Sequence, residues 1–169
     1  SNAKSQEPNG WHSFMSSTGS MASMVSAAVH TYESAEVREN AAEDNKKCVK
    51  IVSTPVKFMG MVMASANGTI TTGRLKAGDM NASSKDNCSF LDFSSTDVDA
   101  NGDPFYAVLN NKPDAMKVWV KFKAGDGNKN PKATISALLT NGNMVQDPED
   151  DKYAANIIGR ANNSSIESK

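Results

Sequence analysis

The stretch Met116-Lys117-Val118-Trp119-Val120-Lys121-Phe122-Lys123 separates by parity into an apolar and a charged set. Met116, Val118, Val120 and Phe122 fall on one side, and Lys117, Lys121 and Lys123 on the other, with Trp119 among the lysines. Such a period of two belongs to a strand that packs one face on a core and turns the other to water. The expected core residues are therefore Met116, Val118, Val120 and Phe122. Val49, Ile51, Ile135, Ala137 and Leu139 join them, because their alternation also selects one face.

Outward from this stretch the chain reads as short strands divided by Gly, Asn, Asp and Pro. Trp11 to Met15 suggests a short strand, followed by irregular chain to Ala28. Glu33 to Lys47 has too few apolar residues for a buried helical stripe and reads mostly as loop. Cys48 to Phe58 is strand-like, with Pro55 marking an edge or bulge. Met61 to Ser65 and Thr69 to Thr72 flank Ala66-Asn67-Gly68, and Asn-Gly suits a type I′ hairpin turn. Further strands are expected at Phe105 to Leu109, Lys132 to Thr140 and Ala154 to Gly159. About eight short strands without an amphipathic helix predict an all-β fold, an antiparallel sandwich or barrel.

At 169 residues the chain suits one domain that can bury a core. Its formal net charge of -1 gives no reason to expect a nucleic-acid partner. No apolar run approaches the roughly 18 to 20 residues that span a bilayer. Ser1-Asn2-Ala3 resembles the scar of tag cleavage, and Lys4 to Gly10 has the polar, Pro- and Gly-containing composition of a linker. The expected organisation is residues 1–9 as scar and linker and residues 10–169 as a single sandwich domain. Export followed by tethering to a surface is the matching expectation for location.

Four segments carry a resemblance. Gly10-Trp11-His12-Ser13-Phe14, then Ala66-Asn67-Gly68-Thr69-Ile70-Thr71-Thr72-Gly73-Arg74, then Lys112-Pro113-Asp114 leading into Val118-Trp119-Val120-Lys121-Phe122, and Gln146-Asp147-Pro148-Glu149 occur in order. Together, over most of residues 10 to 161, they resemble the carbohydrate metabolism domain family of surface and secreted proteins from Bacteroides-type bacteria. The resemblance implies a jelly-roll sandwich similar to carbohydrate-binding modules and galactose-binding-like domains, on an exported, lipid-anchored protein. It brings no catalytic residues. It also implies strands beyond Ile166 that this sequence does not contain, so the sandwich is expected to be incomplete at its C-terminal end. Another chain or a second copy would then supply the remaining strands, since open edges invite pairing.

Candidate site residues follow from side-chain chemistry. Trp119, on the lysine face beside Lys117 and Lys121, would stack on a sugar ring while the amines donate hydrogen bonds. The competing reading covers that ring with a loop and lysine stems. Trp11 is a second aromatic candidate, although Phe14 beside it suggests a packed cluster. Asp97, Asp99, Asn101 and Asp103 match the first half of an EF-hand-type loop, for which calcium is the fitting ion. Position twelve of that loop is Val108 rather than Glu, which favours a plain Asp-rich turn. His12 and His30 are the only histidines, and neither has a Cys or carboxylate at ligand spacing, so the spacing offers no zinc site or triad. His12 reads as a turn or packing residue beside Trp11. Cys48 and Cys88 could equally form one disulfide or stay as thiols.

The function implied is a non-catalytic glycan-binding or glycan-utilisation module. Two alternatives remain. A glycoside hydrolase would need paired carboxylates, and Asp147, Glu149, Asp150 and Asp151 crowd instead into turn-like sequence. A structural or adhesive spacer would take no small ligand at all.

Overall fold

A backbone strand persists only where a second strand satisfies its N–H and C=O groups, so pairing decides the architecture. The computed structural model describes residues 6–27, 30–36, 38–42, 47–94, 96–127 and 131–169, without the side chain of His30. Residues 1–5, where the cleavage scar was read, lie outside them, as do parts of the expected loop at 33–47.

The described residues form nine strands and few helical turns. The strands are β1 (His30–Ser34), β2 (Cys48–Val52), β3 (Thr54–Phe58), β4 (Met61–Ala66), β5 (Arg74–Ala77), β6 (Asn87–Phe90), β7 (Lys132–Thr140), β8 (Gln146–Asp147) and β9 (Ile157–Glu167). They pair antiparallel in four small sheets, β1-β2, β3-β4, β5-β6-β8 and β7-β9. The antiparallel, strand-dominated class matches the expectation.

Residues 10–169, read above as one domain, divide into two compact units. The first comprises Ser1–Val108 with Gln146–Asp150, and the second Leu109–Val145 with Asp151–Lys169.

In the first unit, the segment read as a linker and short strand is stitched to the fold. His12 exchanges both backbone hydrogen bonds with Thr71, and Thr18 bonds Leu75 and Ala77 on β5. Gln6 N–H reaches Thr31 O, so the polar stretch after residue 5 also has fixed partners. Phe14–Ser16 makes a single 3-10 turn, capped where Ser13 Oγ accepts from Met15 N–H, and Ala22–Ser26 adds a short helix, α1. The close approach of this segment to β5 requires Gly19: its φ is +106°, and a Cβ there would stand 2.4 Å from Ala77 O. The apolar core of the unit is Val56, Leu75, Ala77, Cys88 and Phe105, with Leu75 and Ala77 on the inward parity of β5.

The hairpin was misplaced. β3 and β4 turn at Met59-Gly60, both with positive φ (48° and 81°), and Phe58 pairs Met61 across the turn. Gly68 serves another purpose, because a Cβ there would meet Val52 C at 2.8 Å. Its N–H donates to Ser53 Oγ, so the Asn-Gly dipeptide packs on the β2–β3 connection instead of turning a hairpin. Pro55 lies in β3 beside a bulge at Val56/Lys57, as its chemistry suggests. Phe105 to Leu109 is not a strand; Phe105 is core, but Val108 and Leu109 are exposed.

In the second unit, β7 and β9 form a long antiparallel pair, and β7 turns Ala133, Ile135, Ala137 and Leu139 to its less exposed face. Those side chains are half-buried rather than core. On β2 of the first unit, Val49 is likewise half-buried, and Ile51 is exposed.

The organising stretch departs most from expectation. Residues 115–123 are in no strand, and Met116, Val118 and Val120 are each about half exposed at 49%, 47% and 49%. Near its end, Phe122 O accepts from Lys169 N–H. Alternation marks which side chains share a face, but it supplies no backbone partner to hold that face against a core.

Candidate functional site

The most heavily buried polar chemistry lies in the first unit around Phe105. That ring is 1% exposed, and Ser13, Thr31 and His12 are fully buried. His12 stacks at an angle on Phe105, with ring centroids 4.6 Å apart, and the guanidinium of Arg74 sits 4.5 Å from the same ring. Strand β5 places Arg74 at its first position. From there Arg74 ion-pairs with Asp92, at 2.9 Å, and with Asp97, and donates to Ser16 O.

Burial taken alone would lower the Arg74 pKa. The hydrogen bonds to Asp92 and Asp97 and their charges outweigh it and hold the guanidinium above the ordinary arginine value. A group raised in this way contributes stability that is complete below its unfolded pKa and is lost only as pH rises through the folded one. Both values lie far above neutrality, so this ion-paired arginine adds no slope to stability near pH 7.

The loop from Val98 to Pro104 closes as a tight turn. Val98 bridges Pro104, Gly102 takes a φ of +87°, and Asp99 Oδ1 accepts from the backbone N–H groups of Asn101 and Asp103 at 2.8 Å each. The four residues read as a calcium half-loop point their oxygens to separate tasks. Asp97 serves Arg74, Asp103 Oδ2 accepts from Gly10 N–H at 2.7 Å, and Asn101 Nδ2 donates to Asp99 Oδ2. Asp99 alone of the four turns inward, where its Oδ2 stands 3.4 Å from His12 Nδ1.

Glu7 completes a group that spacing rules do not reveal. Its Oε1 accepts from Ser13 N–H, Ser13 Oγ and Ser16 Oγ at 2.6, 2.6 and 3.0 Å. Ligand atoms of Glu7, His12 and Asp99 lie within 4.8 Å of one another. Among the described residues this is the grouping of three metal-ligating side chains that the fold assembles. The signal available in the sequence was one histidine with acidic residues elsewhere, and nothing in that chooses Glu7 or Asp99 over the remaining carboxylates.

The aromatic candidates belong to separate units. Trp11 is 40% exposed in the first, and Trp119 is 57% exposed in the second. The Lys117 ammonium lies 4.9 Å from the Trp119 ring centroid. Lys121 is exposed as well. Trp119 therefore escapes the covered fate that large aromatics usually meet.

Cys48 is exposed on β2 and Cys88 buried on β6, and neither is in a disulfide. No helix among the described residues is long and apolar enough to cross a membrane. No family model, curated protein or solved structure matches the chain.

Proposed function

We propose that this chain is a non-catalytic carbohydrate-binding module of an exported, surface-tethered protein, and that Trp119 with Lys117 and Lys121 is its sugar platform. The observation that carries the reading is a large aromatic ring more than half exposed beside amines. A pyranose presents an apolar C–H face to such a ring, and its hydroxyls accept from the ammonium groups. Lys117 over the indole is no obstacle: an exposed cation–π contact is worth about 0.5–1 kcal/mol, which a stacked sugar offsets. Within the all-β class, the finer architecture inferred is a sandwich of the jelly-roll or galactose-binding-like kind. Its support is the small antiparallel sheets.

A glycan array, followed by titration of the selected sugar, tests this reading. Trp119→Ala should weaken binding at least tenfold and leave the melting temperature unchanged, because the ring is exposed. Equal binding by that variant, or a parent protein that selects no glycan, would overturn it. Release of reducing ends by the parent would remove the non-catalytic part.

A further inference from the structure

His12 Nε2 lies 3.2 Å from Pro104 O, and a carbonyl has no proton to give, so Nε2 carries the hydrogen. The other ring nitrogen, Nδ1, is fully buried and makes no hydrogen bond, although it faces Asp99 Oδ2 at 3.4 Å. In the neutral ring this places a buried nitrogen lone pair against a carboxylate, an opposition that a positive charge relieves, whether a proton on Nδ1 or a cation held between the two groups. A second carboxylate, Glu7, converges on the same place.

We propose that Glu7, His12 and Asp99 bind one divalent transition-metal ion, of the zinc class, with the fourth position of its tetrahedron left to a non-protein ligand such as water. Zinc bonds to imidazole nitrogen and carboxylate oxygen are about 2.0–2.2 Å, so two donors at the tetrahedral angle stand roughly 3.3–3.6 Å apart. His12 Nδ1 and Asp99 Oδ2, 3.4 Å apart, already stand at that spacing, and the Glu7 oxygen, within 4.8 Å of them, reaches it by a shift of about 1 Å. One imidazole with two carboxylates suits zinc or manganese better than calcium or magnesium, which take all-oxygen shells. The supports that hold metal ligands are present too. Pro104 O fixes the histidine tautomer, Ser13 and Ser16 hold Glu7, and the Asn101 and Asp103 N–H groups hold Asp99. Bound there, the ion would tie the segment before β1 to the turn at 98–104.

The test uses the full chain stripped with a chelator, then titrated with zinc chloride by calorimetry and followed by thermal melting. One equivalent should bind, and a hundredfold excess over Kd should raise the Tm by about 10 °C. Cobalt(II) should give the visible absorption of a nitrogen- and oxygen-ligated ion, and His30→Ala should keep it. Because His12 is fully buried and its variants could fail to fold, the deciding variants are Glu7→Gln and Asp99→Asn, which keep the side-chain shape. Each should weaken zinc binding about a hundredfold while the folded circular-dichroism spectrum persists. No stoichiometric zinc binding, an unchanged affinity in both variants, or a nitrogen NMR spectrum showing His12 Nδ1 protonated and indifferent to added zinc would each overturn the site.

Discussion

Phe105→Ala should be the most damaging single truncation in the first unit. The ring is 1% exposed and is contacted by His12 at 4.6 Å and by the Arg74 guanidinium at 4.5 Å. Emptying a buried phenylalanine site costs about 3–5 kcal/mol, because the transfer energy is lost and a cavity is left. Here collapse is opposed by the neighbours, since moving Arg74 inward would strip it from Asp92 and Asp97. The upper half of that range is therefore expected. Phe105→Leu separates the causes: it restores most of the volume and loses only the ring contacts, which are worth about 1–2 kcal/mol in a desolvated site. The assay is urea unfolding read by Trp11 fluorescence in a Trp119→Phe background, which leaves one indole, in the unit under test. With a slope of about 1–2 kcal/mol per molar urea, the midpoint should fall by about 2 M or more for Ala and by about 1 M for Leu. A loss below about 1.5 kcal/mol for Phe105→Ala would refute the view of Phe105 as the centre of this core.

Two further substitutions probe the places where structure and sequence disagree. Val120→Asp, ruinous if residues 116–122 were a buried strand, should cost under about 1 kcal/mol because Val120 is 49% exposed; a loss of several kcal/mol by chemical denaturation would restore the buried strand. Met59→Asn should stabilise by about 0.5–1 kcal/mol, since Met59 holds a φ of 48° that asparagine adopts more readily, and it would turn the β3–β4 connection into Asn-Gly. A lower melting temperature for that variant would count against the turn at Met59-Gly60.

The strand-rich, antiparallel character of the chain was legible from alternation and turn residues, because side-chain period and turn chemistry are local properties. Lys132 to Thr140 forms the strand expected, with Ala133, Ile135, Ala137 and Leu139 on its less exposed face. Pro55 could likewise be assigned to an edge or bulge from its missing N–H. Partner choice was not legible. The equally regular 116–123 stretch is in no strand among the described residues, and Asn67-Gly68 yields the hairpin to Met59-Gly60 because Gly68 is needed where the backbone of β2 and β3 passes close by. The buried group shows the same division. His12 was visible as one of two histidines, but Glu7 and Asp99 stand 5 and 87 positions away from it. The hydrogen bonds of Ser13 and Ser16 to Glu7, those of His12 to Thr71 and the tight turn at 98–104 bring those carboxylates to the ring, and such closure leaves no periodic trace in the chain.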